Sequence, residues 1–316
     1  MRIAIKAGSD VGKVREVNED SYCILEDTQS VFICDGMGGH VAGATASKLA
    51  IDTIRRVNSL LSHQTWDRIP TKPSRMLSKY LYQLNKNMEP SLPELAINMI
   101  NAIQMANLRI YNATIMAPHL QGMGTTAVGI SFIDNLYCVA HVGDSRAYRI
   151  RNHEISQQTS DHSWLNELIQ SGRIQPEEAN DLPHKNVITR ALGVDVKVRT
   201  DIRVEPVELD DIYLLCSDGL HDLLGDREIM NIINQSPDQL DQGVQALIDE
   251  ANDRGGKDNI TVTLLKVIEI DALHPTYRHE ETIPEETARQ NEIENNILSI
   301  LLDVDFENLS AISLPQ

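Results

Sequence analysis

The sequence lacks the paired cysteines of zinc sites and disulfide frameworks. Its 316 residues contain only four cysteines, none in a Cys-x-x-Cys pair: Cys23, Cys34, Cys138 and Cys216. They fall in predicted strands, where a free cysteine behaves as a small buried hydrophobe. The pattern predicts a protein of a reducing compartment.

Long apolar runs and excess positive charge are also missing. No stretch approaches the roughly 18 apolar residues of a membrane-spanning helix, and residues 1–6 are too short and interrupted for a signal peptide. With 28 basic and 46 acidic residues, the formal net charge is −18. This balance argues against nucleic acid or an anionic membrane as the main partner and suits a protein that attracts cations. We therefore expect a cytoplasmic protein.

Several catalytic signatures are absent as well. The chain has no His-Glu-x-x-His zinc motif, no EF-hand loop, no Gly-x-Ser-x-Gly elbow and no Cys-x5-Arg phosphate loop. The glycine-rich turn that starts at Gly36 does not fit the dinucleotide fingerprint, because its sixth position is Val41. No Gly-Lys-Ser/Thr of a P-loop follows it either. These absences leave carboxylates as the main candidates for catalytic chemistry.

Hydrophobic periodicity predicts strands and helices from residue 3 to about residue 266 without a low-complexity linker. Helices are predicted over 42–61, 95–112, 163–170 and 241–252. Strands are predicted near 3–8, 21–26, 30–34, 125–132, 136–142, 146–150, 212–216 and 260–267. The connections within 20–34 and 137–150 are too short for crossover helices, so we expect their strands to pair as antiparallel hairpins or meanders. An α+β fold is therefore favoured over a doubly wound parallel sheet.

Two segments differ in character from the rest. The stretch 152–203 is polar and rich in turn residues, which predicts a surface excursion or lid. Residues 267–316 contain eleven acidic residues and two arginines, half of the net charge, and predict an acidic C-terminal extension over 268–316. In it, a capping-box sequence at 282–285 precedes apolar residues at helical spacing: Ile293, Ile297, Leu298 and Leu301. This predicts a short amphipathic helix, either tethered for a regulatory partner or packed on the domain.

Four aspartates lie where predicted strands begin or end. A single aspartate there means little, because Asp often starts a turn after a strand. Carboxylates gathered from four distant strand ends, however, are what a hard-cation site needs, and oxygen ligands favour Mg²⁺ or Mn²⁺ over zinc. The four residues are Asp35, Asp144, Asp218 and Asp258.

Two segments add the other groups that a phosphate-ester hydrolase requires. Behind Asp35, Gly36 lets a backbone carbonyl approach an ion closely. In the segment 15–20, Arg15 offers a planar guanidinium that matches phosphate oxygens, and Glu19 and Asp20 add anionic oxygens. Two ions about 3.5–4 Å apart, bridged by one carboxylate, can activate a water for in-line attack on phosphorus. No serine or cysteine nucleophile is then required.

Taken in order, these motifs resemble those of the type 2C, metal-dependent serine/threonine protein phosphatases, especially the compact bacterial members. The matching segments are residues 15–20, FICDGMGGHVAG at 32–43, GMGTT at 122–126, VGDSR at 142–146, SDGL at 217–220 and GKDNITV at 256–262. The resemblance spans about residues 3–267. It implies a phosphatase domain over 1–267 with a four-layer α-β-β-α sandwich of two antiparallel sheets flanked by helices. The stretch 152–203 corresponds to the mobile flap of that family.

The resemblance also implies a set of metal ligands. Asp35 would bridge two Mn²⁺ or Mg²⁺ ions, and the Gly36 carbonyl would bind one of them. Asp218 and Asp258 would complete the coordination of the other ion. Asp144, together with Asp218, would bind a third ion.

Other roles follow from the same resemblance. Glu19 and Asp20 would lie beside the ions, mainly through water, and Arg15 would hold the substrate phosphate. Arg15, Asp35 and Asp218 are thus the implied catalytic residues. In the animal-type enzymes a histidine after the Asp-Gly pair is thought to protonate the leaving oxygen, but here that position is Met37. The identity of the general acid therefore stays open, and a metal-bound water could serve.

Further polar residues in these motifs are expected to be structural. Lone histidines beside strands or helix starts more often satisfy local hydrogen bonds than act as acids or ligands. Ser145 and Arg146 are expected to shape a turn, and Asn259 to orient groups around Asp258. A structural role is also expected for the other polar residues in or beside these motifs: His40, His141, His221, Thr125 and Thr126.

The implied function is hydrolysis of phosphoserine and phosphothreonine in proteins, in opposition to a serine/threonine kinase in signalling. Two alternatives make different demands on the sequence. A non-catalytic domain that only holds phosphoproteins predicts loss of a metal carboxylate or of the phosphate-binding arginine, and neither is lost. A cation-buffering domain predicts ligands clustered in one short loop, whereas these are spread over more than two hundred residues.

Overall fold

The computed structural model describes residues 1–39, 41–62, 94–175 and 187–270. The α-helices in these ranges are α1 (Val41–Ser62), α2 (Glu94–Met116), α3 (Trp164–Gln170), α4 (Asp218–His221), α5 (Asp226–Gln235) and α6 (Leu240–Asp253). The strands are β1 (Arg2–Asp10), β2 (Asp20–Leu25), β3 (Ser30–Met37), β4 (Gly124–Thr125), β5 (Ala127–Ile133), β6 (Leu136–Val142), β7 (Arg146–Arg151), β8 (Glu154–Gln157), β9 (Asp201–Pro206), β10 (Ile212–Cys216) and β11 (Ile260–Glu269).

The strands form two antiparallel sheets. The first has the order β1-β11-β10-β7-β8, and the second has the order β2-β3-β5-β6-β9, with the short β4 paired to the end of β3. Strands close in sequence are neighbours in several places, as in the β2–β3 and β5–β6 hairpins. The pairing of β1 with β11 joins the two ends of the described domain.

Side-chain alternation along the strands separates three apolar cores. In β3, Val31 and Ile33 pack against Tyr213 and Leu265 of the facing sheet, whereas Phe32 and its neighbours pack against α1 and α2. The outer face of the first sheet is covered by α5 and α6 through another apolar cluster. Because both faces of each sheet are covered, strands such as β10 are buried along their whole length. The predicted α-β-β-α sandwich is confirmed.

The predicted pairing within 137–150 is wrong. β6 pairs with β5 and β9, whereas β7 pairs with β10 and β8, so the chain changes sheets at residues 143–145. Gly143 adopts a φ of 103° at this crossing, a conformation that favours glycine. A Cβ there would also meet Thr126. A short link excludes a crossover helix, but it does not decide which sheet the next strand joins.

The ends of the stretch 152–203 are built into the domain rather than lying on its surface. β8 extends the first sheet, and residues 162–164 and 187–189 bond to each other. Leu192 exchanges backbone hydrogen bonds with Thr125. The buried Asn107 of α2 accepts from the Gly193 N–H and donates to the Asp195 carbonyl. The middle of the predicted flap, residues 176–186, lies outside the described residues.

The predicted amphipathic helix of the C-terminal extension also lies outside the described residues, because the description ends at Ile270. The last strand continues to Glu269, two residues beyond the domain boundary predicted from composition. Within the described ranges, no helix combines the length and apolar character needed to cross a membrane.

Candidate metal centre

The four aspartates singled out from the sequence meet at one end of the sandwich. Asp35 lies near the end of β3, and Asp144 lies in the crossing between β6 and β7. Asp218 begins α4, and Asp258 precedes β11. Burial, and then the charges of Asp20, Asp218, Asp144 and Asp258, raise the pKa of Asp35 well above its usual range. The fold therefore gathers the mutually repelling carboxylates that the strand ends predicted.

Two threonines fix the backbone of Asp35. The Asp35 N–H donates to Thr126 Oγ1 at 3.0 Å, and the Asp35 carbonyl accepts from Thr125 Oγ1 and from the Thr126 N–H, both at 2.8 Å. Thr126 Oγ1 also lies 2.7 Å from Ser145 Oγ. These bonds connect the β3 end to the turn that carries Asp144. The hydrogen-bonding role expected for the two threonines is confirmed.

Asp20 lies directly opposite Asp35 in the β2–β3 pair. Its Oδ2 accepts hydrogen bonds from Ser217 Oγ and Thr261 Oγ1, both at 2.7 Å. Burial raises the pKa of Asp20 to about 7. The two hydrogen bonds act in the opposite direction and lower this pKa, but their effect is smaller. The sequence reasoning missed Ser217 and Thr261, although each lies in a quoted motif.

Gly36 is held where a side chain cannot fit. Its N–H donates to the Glu19 carbonyl at 3.1 Å, and a Cβ on Gly36 would collide with the backbone carbonyls of Gly43 and Glu19. The start of α1 and the end of the 11–19 loop thus close on the backbone of β3. A glycine is required for this approach, as the sequence predicted for a carbonyl near an ion.

The donor set fits a hard divalent cation. Asp20 Oδ1, Asp144 Oδ1 and Asp218 Oδ1 are buried and have no hydrogen-bond partner among the described residues. Burial and neighbouring carboxylates, Asp144 first, raise the pKa of Asp218 well above its usual range, and burial raises that of Asp144 to about 6. Buried carboxylate oxygens without partners are costly unless they coordinate a metal. Their presence in a group of three, all oxygen donors, suits Mg²⁺ or Mn²⁺.

Arg15 lies at the exposed mouth of the site and contacts a carboxylate. Its Nη2 donates to Asp258 Oδ2 at 2.6 Å, and both side chains are partly exposed. Asn259 holds the loop that carries Arg15, because its side chain accepts from the Glu19 N–H and donates to the carbonyls of Val11 and Val17. The expectation that Asn259 orients groups near Asp258 is met through this loop.

The histidines near the site have local hydrogen-bonding roles. His221 Nε2 lies 3.1 Å from the Asp144 carbonyl oxygen. His141 Nε2 lies 2.9 Å from the Ser160 carbonyl oxygen, and burial lowers the pKa of His141 to about 4. His40 lies outside the described residues.

A second group of metal-ligating side chains, His141, His162 and Asp201, lies beside the crossing that carries Asp144. The Gly143 N–H donates to His162 Nδ1 at 3.0 Å, and His162 Nε2 lies 2.9 Å from Arg190 Nη1 and 3.3 Å from Asp201 Oδ2. Arg190 Nη1 lies 2.8 Å from Asp201 Oδ1. A guanidinium that contacts both His162 and Asp201 in this space favours a hydrogen-bonded network over a cation site.

Comparisons with known proteins give strong matches along most of the chain. No protein-family model matches it. It is 35% identical over 268 residues to the serine/threonine phosphatase stp of Listeria monocytogenes serotype 4b (strain F2365), which covers 82% of this chain and 93% of that protein.

Solved structures agree. The S. agalactiae serine/threonine phosphatase superposes with a TM-score of 0.69 at 31% identity, over 85% of this chain and 100% of that one. The catalytic domain of a serine/threonine protein phosphatase PstP, solved in complex with two manganese ions, superposes with a TM-score of 0.66 at 32% identity, over 84% of this chain and 99% of that one.

Proposed function

Since the chain belongs to the metal-dependent serine/threonine protein phosphatases of the bacterial type 2C family, we propose that Asp35, Gly36, Asp218 and Asp258 hold its two catalytic ions. Asp35 would contribute its carboxylate to both ions, and Gly36 would contribute its carbonyl to one of them. Mn²⁺ or Mg²⁺ at these positions would supply an activated water and charge neutralisation for in-line displacement at phosphorus. Asp144 and Asp218 form the third ion site.

The remaining groups position the substrate and the ligands. Arg15 binds the phosphate oxygens of the phosphoserine or phosphothreonine, for which its planar guanidinium is suited. Glu19 and Asp20 lie beside the ions and act mainly through water. The hydrogen bonds from Ser217 and Thr261 fix Asp20 Oδ2, and Oδ1 is buried without a hydrogen-bond partner among the described residues, which leaves it available to such a water.

One observation supports this proposal above the others. Three buried carboxylate oxygens, on Asp20, Asp144 and Asp218, lack hydrogen-bond partners in the described part of the chain. A protein that only held phosphoproteins would have no need to keep such costly groups, whereas a metal hydrolase needs them.

The test is hydrolysis of p-nitrophenyl phosphate and of a phosphothreonine peptide in the presence of Mn²⁺. We expect turnover that stops on addition of a chelator, returns with Mn²⁺ and is lost in Asp218→Asn. Turnover that is indifferent both to the chelator and to this substitution would rule out the proposed centre.

Protein phosphatases act on phosphorylated proteins, and we propose that this one reverses the action of a cognate serine/threonine kinase in cytoplasmic signalling. Four buried cysteines, none of them in a disulfide, support a reducing compartment. We assign residues 1–267 to the phosphatase domain, with its flap at about 152–203. The acidic extension 268–316 is assigned to regulation or to docking of a partner. Activity, stability and partner capture that are all unchanged after truncation at Ile268 would argue against that role.

A further inference from the structure

A groove of about 470 Å³ lies beside the metal centre, between α1 and the first residues of β2. β2 is the outermost strand of its sheet, so one backbone edge of the strand has no strand partner among the described residues. Asp20, Ser21 and Tyr22 form the strand side of the groove, and Lys48 and Arg55 lie on its helix side. The groove is therefore next to the proposed metal centre and shares only Asp20 with it among the described residues.

The helix side of the groove carries positive charge that no carboxylate among the described residues pairs with. Lys48 and Arg55 are exposed, are seven residues apart and so lie on the same face of α1. Most described basic side chains pair with a carboxylate, but neither of these forms an ion pair among the described residues. In a chain with a net charge of −18, two such neighbouring cations stand out.

The acidic and thiol groups near these cations do not neutralise them. Asp52 lies between them on the helix, but its Oδ2 accepts from Arg109 at 2.6 Å and its Oδ1 from Arg56 at 3.2 Å. Arg55 lies beside Cys23, whose pKa burial raises to about 11, so this thiol stays neutral. The helix side of the groove therefore presents a net positive charge to a ligand.

Charge complementarity identifies the kind of ligand. The rest of the surface is acidic on average and repels acidic polypeptides, whereas this groove attracts them. Asp20 both lines the groove and lies opposite Asp35 in the sheet, so a chain with its phosphoresidue at the metal centre can continue directly into the groove. An extended segment is also the form that an open strand edge accommodates.

We propose that this groove docks an acidic segment of the substrate, so that Lys48 and Arg55 select phosphorylated residues with Asp or Glu neighbours. This inference rests on the proposed phosphatase function and adds a substrate preference to it. Neither cation touches the groups assigned to catalysis, so the preference can be changed without changing the chemistry.

The experiment uses the full chain and two pairs of phosphothreonine peptides. The two peptides of a pair differ only in whether they carry a run of Glu or a run of Gln. In one pair the run precedes the phosphoresidue, and in the other pair it follows the phosphoresidue. For Lys48→Glu/Arg55→Glu, we expect kcat/KM for one Glu peptide to fall about tenfold through KM, as for the loss of two partly exposed ion pairs. Hydrolysis of the Gln peptides and of p-nitrophenyl phosphate should stay within about twofold of the native protein. Salt should weaken the native preference for Glu.

The control is Arg227→Glu, which reverses an exposed, unpaired arginine on α5, on the opposite outer face of the sandwich. It should leave all substrates unchanged. The proposal fails if the native protein hydrolyses Glu and Gln peptides equally well, or if the double variant loses activity on every substrate alike. The proposal also fails if the double variant hydrolyses Glu peptides faster than the native protein and this gain disappears when residues 271–316 are deleted from both. The acidic extension would then be the segment that occupies the groove.

Failure of the catalytic assignment looks different from failure of this inference. If Asp218→Asn retains turnover of every substrate, the proposed centre is wrong, while the ratio of Glu to Gln peptide hydrolysis still reports on the groove. If Asp218→Asn is inactive and the native protein hydrolyses Glu and Gln peptides in a ratio of one, only the docking inference is overturned.

Discussion

Arg15 and Asp258 form an ion pair at 2.6 Å, so the group assigned to the substrate phosphate binds a group assigned to a metal ion. An ion at Asp258 and the guanidinium of Arg15 compete for the same carboxylate. Binding of the ion would release Arg15 toward the phosphate. If both assignments hold, the loading of the metal centre and its readiness for substrate would be linked through this salt bridge.

Replacement of Arg15 should therefore have opposite effects on the two ligands. For Arg15→Ala we expect Mn²⁺ to bind more tightly, because a competing cation is gone, and kcat/KM for a phosphopeptide to fall roughly 10–100-fold, because a charge-assisted phosphate contact is lost. Calorimetric titration with Mn²⁺ and steady-state kinetics measure the two effects. Lys13→Ala, which removes a nearby cation that pairs with Asp253, is the control. Weaker Mn²⁺ binding in Arg15→Ala would contradict the competition.

Removal of one buried carboxylate should make the chelator-treated protein more stable and the enzyme inactive. In Asp218→Asn the repulsion among the clustered carboxylates is reduced, so we expect a higher melting temperature in EDTA and a smaller rise on addition of Mn²⁺. Turnover should fall on the order of a thousandfold or more. Thermal denaturation with and without Mn²⁺ checks this, with the exposed turn substitution Asp134→Asn as control. A lower melting temperature in EDTA would show that Asp218 stabilises the fold by itself.

The raised pKa values of Asp20, about 7, and Asp144, about 6, predict how stability depends on pH. Both lie above the unfolded value of about 3.9, so the folded chain holds more protons between about pH 4 and pH 7. This contribution to stability is fully present below about pH 4 and is lost as the pH rises through 6 to 7. The melting temperature in EDTA should therefore fall from pH 5 to pH 7.5, whereas the affinity for Mn²⁺ should rise.

Calorimetry in EDTA across this range, repeated on Asp20→Asn, tests the assignment. The variant should show a weaker dependence on pH because one of the two titrating groups is gone. An equally steep dependence in the variant would assign the effect to other groups.

Asp144 should be separable from the two catalytic ions. Its side chain is replaced in Asp144→Asn, but the backbone carbonyl that faces His221 remains. We expect the number of bound Mn²⁺ ions to fall by one, the affinity of the others to be retained and turnover to be reduced. Titration calorimetry gives the stoichiometry, with Asp35→Asn as the comparison that should weaken all binding. Loss of every ion in Asp144→Asn would place it in the main centre.

Asn107 should stabilise the segment that returns from the flap. Its substitution by Ala removes the side chain that bonds the Gly193 N–H and the Asp195 carbonyl, which costs about 1–3 kcal/mol in the free energy of unfolding. Urea denaturation measures this cost, and Asn112→Ala on the same helix is the control. A cost below about 0.5 kcal/mol would mean that the segment repacks freely.

The sequence was sufficient for the parts of the molecule that depend on local pattern. Strand-end aspartates and glycine-rich turns located Asp35 and Asp218, and the 3.6-residue period located α1 and α2 to within a few residues. β8 is only four residues long, with no apolar alternation long enough to recognise, and it was missed.

Contacts between distant residues could not be inferred in the same way. The hydrogen bond from Thr261 to Asp20 joins residues that are 241 positions apart. Nothing in the sequence of either motif indicates that the two residues are hydrogen-bonded. The change of sheet at Gly143 depends on how two sheets share one core, which no window of sequence contains. Similarly, the Arg15–Asp258 pair exists only because Asn259 holds a loop from the other end of the chain.

The pairing of β1 with β11, and the bonds from Asn259 and Thr261 to residues 11–20, have a consequence during synthesis. Residues 1–20 leave the ribosome long before residues near 260, and the two segments supply different walls of the proposed ion pocket. A growing chain therefore carries its carboxylates without being able to close them around an ion. Phosphatase activity can begin only after nearly the whole domain has been translated.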